Sequence, residues 1–342
     1  MNPSSLVNGL NSISFLVFIT RSLDSLNKMD APVLMRVLAS SVHLAARAST
    51  IVRTVLASKD LEIVDKGVND LQSRADRDAQ RCIVGSLTKT FPGLKVIGEY
   101  QNNGLAAAAE LDADVLKHQC PTAYKSTTLS DMVVWVDPLD GTMEFTEVSS
   151  RLVCKNRNPL GGLVQYVTIL IGVAVSGKPV AGVIAQPITR IIWGMDGLGV
   201  FGLDAKKPAA PKGTNPHVIV TTRSHATSKL VSIHNLLLYS VLYTQILRVG
   251  GCGYKVLMLL EGLGHLYLFP SIGAKRWDTC APEAVLSAAG GALTDLRGHH
   301  YDYRVVEDPM DRGGIMATPV ADWIRVYTPL MPKDVLDTLT FK

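Results

Sequence analysis

Two aspartates on either side of a tight turn are the residues in this chain whose types and spacing most directly suggest chemistry. Asp137 and Asp140 lie in the segment Asp-Met-Val-Val-Trp-Val-Asp-Pro-Leu-Asp-Gly-Thr over residues 131–142. Their carboxylates can point at one place, and two like charges so close are unfavourable unless a cation lies between them. A hard divalent metal ion is therefore the expected occupant. Taken alone, the segment also fits an ordinary surface turn, because Asp, Pro and Gly are all turn formers.

Glu99 and Asp278 are two further carboxylates that the sequence places at the ends of secondary-structure elements. Glu99 ends a short predicted strand over residues 95–99. Asp278 lies in Trp-Asp-Thr-Cys-Ala-Pro-Glu, where we expect Thr279 to cap a helix, so that Asp278 stands beside a helix N-terminus that favours anions. The alternatives are a solvated glutamate and an aspartate that only stabilises its helix.

Asp70 and Asp76 flank the expected start of another helix. The apolar residues of 71–90 recur at helical spacing, so that Asp70 precedes this helix and Asp76 falls within its opening turns. Capping the helix is the simplest role for Asp70. Residues 31–58 show the same helical pattern, and we therefore expect two helices before any strand.

The elements that must position these residues continue as strands. We expect an alanine-rich helix and a polar loop over residues 101–128, and then a buried strand over 133–136 because this run is apolar and β-branched. A hairpin-like strand pair follows at 167–174 and 180–184, and another pair lies within 191–203. These strands predict one sheet in the first half of the chain.

A Pro-, Lys- and Gly-rich connector at residues 206–216 marks the expected domain boundary. Beyond it, strands and helices alternate as in layered α/β folds. The predicted strands are 217–221, 245–249 and 266–269, and the predicted helices are 228–239, 254–261 and 278–289.

Composition limits the classes of function. The chain has 342 residues, 47% of them hydrophobic and 19% charged, which predicts a folded protein of roughly two domains. The net charge of +4 comes from residues 1–28 and 148–161, and the neutral remainder argues against nucleic-acid and membrane-surface binding. Five widely spaced cysteines without a C-x-x-C pair indicate neither disulfides nor zinc. We therefore expect a cytoplasmic protein without a membrane anchor.

The order of the motifs resembles a known family. The Gly-Glu strand end, Asp-Pro-Leu-Asp-Gly-Thr and Trp-Asp-x-x-Ala-Pro-Glu resemble the lithium-sensitive, magnesium-dependent phosphomonoesterase superfamily, which includes inositol monophosphatases. Thr-Thr-Arg-Ser-His at 221–225 and Arg-Val-Gly-Gly-Cys-Gly-Tyr-Lys at 248–255 are similar to the 3′(2′),5′-bisphosphate nucleotidase branch. The resemblance runs from about residue 31 to residue 317. A surface histidine and a tight turn are the ordinary alternatives for the last two segments.

The resemblance implies an α+β or α/β layered sandwich with alternating helix and sheet layers and the active site between two subdomains. We expect these subdomains at 29–205 and 206–342, after a disordered extension over 1–28. The implied Mg²⁺ ligands are Glu99, Asp137, the Leu139 carbonyl, Asp140 and Asp278. The implied catalytic residues, which activate the attacking water, are Asp70 and Thr142. The implied nucleotide contacts are Thr222, His225, Gly251 and Lys255.

The resemblance also implies a reaction. The substrate would be adenosine 3′,5′-bisphosphate, which gives AMP and phosphate, with 3′-phosphoadenylyl sulfate as a second substrate and a role in sulfate assimilation. By the same resemblance, lithium would inhibit the enzyme. We also expect a monomer that acts on a small molecule, with neither nucleic acid nor a membrane as a partner. An inositol-phosphate phosphatase acting on inositol 1,4-bisphosphate is the alternative activity.

Two departures from the family pattern bear on activity. Tyr100 stands where the family commonly has a second glutamate, which puts the affinity of one magnesium ion in question. Residues 148–161 are basic, lack acids and fit no helix or strand period, so that they resemble an insertion. An insertion there can displace Thr142 and leave an inactive variant. We expect that removing these residues raises the rate at least about tenfold.

Overall fold

Two packed helices form the first layer of the fold. The computed structural model describes residues 30–58, 60–65, 71–100, 106–153, 163–206, 208, 217–223 and 244–340. The helices are α1, Val33–Ser58, and α2, Arg74–Thr90, and both were expected from their apolar spacing. A short antiparallel pair, β1 (Val64–Asp65) with β2 (Leu71–Gln72), lies between them. The prediction that no strand precedes the second helix is therefore wrong.

The first sheet contains the strand that carries Asp137 and Asp140 at its second position. Its strands are antiparallel to their neighbours except for the first two, which are parallel. In chain order and in space they are β3 (Lys95–Gly98), β4 (Met132–Asp140), β5 (Thr168–Val175), β6 (Lys178–Gln186), β7 (Arg190–Met195) and β8 (Gly199–Phe201). Every residue of β4 is buried, because layers of helices cover both faces of the sheet.

The second sheet comes from the other half of the chain. Its first three strands in space are parallel, and the last two are antiparallel to their neighbours. The strands are β9 (His217–Thr222), β10 (Thr244–Val249), β11 (Leu266–Phe269), β12 (Ala292–Thr294) and β13 (Ile315–Thr318), and their order in space is β10-β9-β11-β13-β12.

Helices separate and flank the two sheets. They are α3 (Thr142–Val153), α4 (Cys252–Leu260), α5 (Arg276–Ala288), α6 (Ile324–Tyr327) and α7 (Lys333–Leu336). Helices α1 and α2 pack on one face of the first sheet, α4 and α5 lie between the sheets, and α6 packs on the outer face of the second sheet. This arrangement confirms the predicted layered α+β fold.

A row of glycines positions α5 against the first sheet. Gly172, Gly182 and Gly194 face one another across β5, β6 and β7. A Cβ atom on Gly172 would lie 2.5 Å from the Ala281 nitrogen, and one on Gly182 would lie 2.6 Å from the Ala281 oxygen. No side chain fits in this space, so the glycines allow the backbone of α5 to approach the sheet directly.

Some predictions differ from the structure. The alanine-rich segment has no helix over residues 106–112, and a 3₁₀ turn follows at Val115–Lys117. Helix α3 runs through Val153, so the first residues of the expected insertion at 148–161 continue a helix, whereas 154–162 lie outside the described residues. The 1–28 extension, the 228–239 helix and most of the 206–216 connector also lie outside them. The subdomain limits therefore stay a prediction.

Candidate active site

One cavity brings most of the predicted site residues together. It has a volume of about 240 Å³ and lies where the end of β4 meets α3, α4 and α5. Nine of the predicted residues line it, namely Glu99, Asp137, Leu139, Asp140, Thr142, Thr222, Gly251, Lys255 and Asp278. The other two, Asp70 and His225, lie outside the described residues. The residues come from both sheets, and only tertiary packing unites them.

The end of β4 aims two carboxylates into this cavity. The pairing of β4 with β5 is regular up to Asp137 and shifts register before Asp140, as at a β-bulge, which redirects side chains. The Asp137 carboxylate accepts a hydrogen bond from the Leu139 amide at 3.0 Å. The two aspartates are therefore part of a buried turn at a strand end and not of a surface turn.

Asp140 also joins the end of β4 to α4. Its Oδ1 accepts from the Cys252 amide at 2.8 Å, and its Oδ2 accepts from the Gly253 amide at 2.8 Å and from the Thr168 hydroxyl at 2.6 Å. These amides belong to the N-terminus of α4, which favours a negative charge. Each carboxylate oxygen has two lone pairs, so one lone pair on Oδ1 stays available for a cation.

Asp278 stands in the first turn of α5, as predicted, but the cap differs from the prediction. Its Oδ2 accepts from the Lys275 amide at 2.8 Å, and Lys275 is the residue that precedes the helix. Thr279 lies inside α5 and donates to Asp311 at 2.8 Å. The expected cap by Thr279 is therefore wrong, because the helix begins three residues earlier than Thr279.

The cavity contains more acid than base. Its described lining includes five carboxylic acids and one lysine. Burial, and then the charges of Asp278 and Asp76, raise the pKa of Glu99 to about 8. Burial, and then the charge of Asp140, raise the pKa of Asp278 to about 6, and burial also raises the pKa of Asp137. Burial is the main cause of these shifts, and the charges of the neighbouring acids add to it, so a cation among the acids would favour their charged forms.

The donors suit a hard cation, although no coordination shell is preformed. Within the residues described, no three His, Cys, Asp or Glu side chains are arranged to hold a metal ion. The Asp137 carboxyl nevertheless lies within hydrogen-bonding reach of Asp278, and carboxylate and carbonyl oxygens are the ligands that Mg²⁺ takes. The fit of a divalent cation to this cavity therefore rests on the oxygen donors and on the excess of negative charge among them.

Lys255 is the buried cation of the cavity. Its ammonium donates to the Gly251 carbonyl at 2.7 Å and lies 5.3 Å from the centre of the Tyr267 ring. Burial lowers its pKa. Gly251 has φ +64, and a Cβ atom there would lie 2.8 Å from Asp140 Oδ2, so glycine serves both the turn and the close approach of the carboxylate.

Asp76 is a candidate site residue that the sequence signals did not single out, and the structure places it beside Thr142. Its Oδ1 accepts a hydrogen bond from the Thr142 hydroxyl at 3.2 Å, and Thr142 also lies 3.0 Å from the Leu139 carbonyl. Its Oδ2 accepts from the Ser73 amide at 2.8 Å and hydroxyl at 2.6 Å, which closes a capping box at the start of α2. Asp76 therefore stands beside Thr142, and Ser73 caps α2. Asp70 lies outside the described residues, so the role predicted for it stays a prediction.

Tyr100 adds contacts to this acidic group. Its hydroxyl lies 3.5 Å from Asp76 Oδ1 and makes a hydrogen bond with the Glu99 side chain. The residue that departs from the family pattern therefore links two acids of the site.

The sequence of this chain is similar to those of known proteins. Residues 34–325 match the family model described as inositol monophosphatase family. The chain is similar to human 3′(2′),5′-bisphosphate nucleotidase 1, with 43% identity over 303 residues, which are 84% of this chain and 91% of the human protein. It is also similar to inositol monophosphatase 3 from Danio rerio, with 30% identity over 308 residues, 84% of this chain and 82% of that protein.

A solved structure has the same fold. The extragenic suppressor protein suhB from Bartonella henselae superposes with a TM-score of 0.62 at 22% identity, over 86% of this chain and 97% of that one. At this level of identity the likeness concerns the fold alone. In the described part of this chain, no helix is both long and apolar enough to cross a membrane.

Proposed function

The chain belongs to the inositol monophosphatase family, and we propose that it is a phosphatase that removes the 3′-phosphate of adenosine 3′,5′-bisphosphate. The products are AMP and phosphate. One observation carries the proposal: the acids predicted to hold a metal and the residues predicted to contact a nucleotide, Thr222, Gly251 and Lys255, line the same cavity. The 43% identity to a human protein named as a bisphosphate nucleotidase supports the choice of substrate.

In the proposed mechanism, Thr142 and Asp76 activate the attacking water. The Thr142 hydroxyl donates to Asp76 Oδ1 at 3.2 Å, so its oxygen can accept a proton from a water on its other side while Asp76 takes the hydroxyl proton. Burial raises the pKa of Asp76, which makes it a stronger base. The water oxygen bonds to phosphorus, and the bond from phosphorus to the 3′ oxygen breaks. The 3′ oxygen takes a proton from solvent water, and Asp76 returns its proton to the solvent.

The cofactor in this proposal is Mg²⁺, held by Glu99, Asp137, the Leu139 carbonyl, Asp140 and Asp278. A bound divalent ion lowers the pKa of a water ligand and neutralises charge on the transferring phosphoryl group. The chain itself orients the donors: the α4 amides fix Asp140, and the Lys275 amide fixes Asp278. Lys255 offers a positive charge at the nucleotide side of the cavity.

The test is a phosphate-release assay on three substrates. We expect adenosine 3′,5′-bisphosphate and 3′-phosphoadenylyl sulfate to be hydrolysed with a higher kcat/KM than inositol 1,4-bisphosphate. The matched inactive control is Asp137→Asn, which removes one charge from the acidic cavity without changing side-chain size. A preference for inositol 1,4-bisphosphate would favour the alternative, an inositol-phosphate phosphatase. Hydrolysis by Asp137→Asn at the wild-type rate would contradict the mechanism.

The remaining features of the proposal concern the cellular setting. Cys82, Cys120, Cys252 and Cys280 are buried with free thiols, which fits the reducing cytoplasm. We propose that the enzyme acts there as a monomer on small-molecule substrates, that lithium inhibits it, and that it serves sulfate assimilation. Size-exclusion chromatography with light scattering measures the oligomeric state.

A further inference from the structure

Arg223 joins two carboxylates that lie on successive turns of α3. Its Nε is 3.3 Å from Glu144 Oε1, and its Nη2 pairs with Glu147 Oε1. Glu144 has a side-chain exposure of 5% and lines the cavity, whereas Arg223 is 32% and Glu147 is 35% exposed. Arg223 directly follows Thr222, the last residue of β9. One guanidinium therefore connects the second sheet to the helix that begins with Thr142.

The charges argue against Arg223 as a phosphate ligand. Two carboxylates contact its single positive charge, so a phosphate placed there would meet a net negative environment. The hydrogen bond and charge of Glu147 raise the pKa of Arg223, and the guanidinium stays charged at any working pH. The guanidinium is therefore already paired with two carboxylates of α3 and is poorly placed to receive a phosphate.

The position of Glu144 matters because it forms part of the cavity wall. A Cβ atom on Gly250 would lie 2.2 Å from the Glu144 carboxyl carbon, so the carboxyl packs directly against the turn that precedes α4. Burial raises the pKa of Glu144, and Arg223 and Lys255 oppose this shift. Glu144 therefore lies between the α3 side and the α4 side of the site, and Arg223 keeps it there.

We propose that Arg223 is a positioning residue for the proposed phosphatase reaction: by holding Glu144 and Glu147, it fixes the first turns of α3 and so the hydroxyl of Thr142 beside Asp76. This inference rests on the proposed function. A displacement of about 1 Å in a group that activates the nucleophile costs on the order of a hundredfold in rate. The salt bridges of Arg223 therefore affect turnover more than substrate binding.

The experiment compares Arg223→Gln with Arg190→Gln. Arg190 is a matched control, because it pairs with Glu261 at side-chain exposures of 32% and 25% and does not line the cavity. We expect Arg223→Gln to lower kcat about tenfold to a hundredfold and to change KM less than about threefold. Arg190→Gln should leave both within about threefold. Arg223→Lys should restore only part of kcat, because lysine keeps the positive charge but its ammonium cannot pair with both glutamates as the planar guanidinium does.

A second measurement separates positioning from a general loss of structure. If Arg223 acts through Thr142, Arg223→Gln should reduce the residual rate of Thr142→Ala by less than about threefold, since residues that act as a unit are not additive. Hydrogen exchange should accelerate at residues 142–147 in Arg223→Gln and stay unchanged there in Arg190→Gln. The exchange measurement needs no substrate.

The outcomes distinguish the two levels of the proposal. A wild-type protein that releases no phosphate from adenosine 3′,5′-bisphosphate contradicts the proposed function, while the exchange result still decides whether Arg223 holds α3. Equal kcat for Arg223→Gln and Arg190→Gln, or a full loss in the Thr142→Ala background, overturns the inference. If Arg223→Gln does not fold, Glu147→Gln, which removes only the more exposed pair, decides instead, and an unchanged kcat overturns it.

Discussion

Replacing Asp76 by asparagine tests the central step of the mechanism. Asp76 uses Oδ2 for the Ser73 amide and hydroxyl and Oδ1 for the Thr142 hydroxyl. An asparagine that keeps its oxygen toward Ser73 must turn its NH₂ group toward Thr142, and an amide cannot accept the proton. Loss of a general base costs about 10²–10⁴-fold in kcat, which corresponds to about 2.7–5.4 kcal/mol of activation free energy. We therefore expect Asp76→Asn to lower kcat by this factor.

Two controls separate catalysis from stability. Ser73→Ala removes the 2.6 Å hydrogen bond to Oδ2 and leaves the contact of Oδ1 with Thr142. It should lower the free energy of unfolding by about 1 kcal/mol, as the loss of a helix cap does, and change kcat less than about threefold. Asp70→Asn should also retain kcat.

The assay is release of inorganic phosphate from saturating adenosine 3′,5′-bisphosphate, with circular dichroism to verify folding. An Asp76→Asn enzyme that keeps more than about one tenth of the wild-type kcat would refute the assignment. A loss in Asp70→Asn equal to the loss in Asp76→Asn would return the catalytic role to the residue that the sequence analysis named.

Chelation should abolish phosphate release and magnesium should restore it, whereas lithium and calcium should inhibit, because the acidic cavity needs a cation with six close oxygen ligands; activity after complete chelation contradicts this. Gly182→Ala should lower the free energy of unfolding by about 1–3 kcal/mol in urea titrations, because the Cβ atom of the new alanine would lie 2.6 Å from the Ala281 oxygen. An unchanged urea midpoint would show that α5 can move away from the sheet without cost. Removing residues 148–161 should change kcat less than about threefold, because Thr142 already contacts Asp76 with these residues present. The sequence alone predicts a gain of at least about tenfold, and a gain of that size would support the prediction from the sequence. Burial lowers the pKa of His217 below its ordinary value of 6.5, so the unfolded chain binds a proton at a higher pH than the folded protein does. The free energy of unfolding should therefore fall on acidification below about pH 6.5. His217→Asn should flatten this dependence of Tm on pH, and an equal slope in the two proteins would argue against it.

The segments near the cavity were predictable because their signals are local. Asp137 and Asp140 follow an apolar, β-branched run, and a turn of Pro and Gly must place both carboxylates at the end of one strand. Asp278 lies close to a helix start that its neighbours indicate. Helical spacing also located α1 and α2 to within a few residues.

The choice between Asp70 and Asp76 was not predictable from local signals. Both residues lie near the start of α2, and either could cap it. The case for Asp76 depends on Ser73, which caps the helix and leaves one oxygen of Asp76 facing Thr142, 66 residues further along the chain. The start of α2 was therefore predictable from the sequence, whereas the side chain that contacts Thr142 was not.

The sequence by itself determined that carboxylates lie at the ends of strands and helices, and the tertiary structure decided which of the site residues contact one another. Residue types and short spacings specify acids at strand and helix ends, because the backbone geometry of a turn or a first helical turn involves only a few residues. Contacts between distant residues have no such local signal. The row of glycines depends on the register of three strands. The hydrogen bond between Asp140 and the first amide of α4 joins residues that are 112 positions apart, and the contact between Arg223 and Glu144 joins residues that are 79 positions apart. These contacts exist only once the sheets and helices have packed, and they fix the distances on which the proposed chemistry depends.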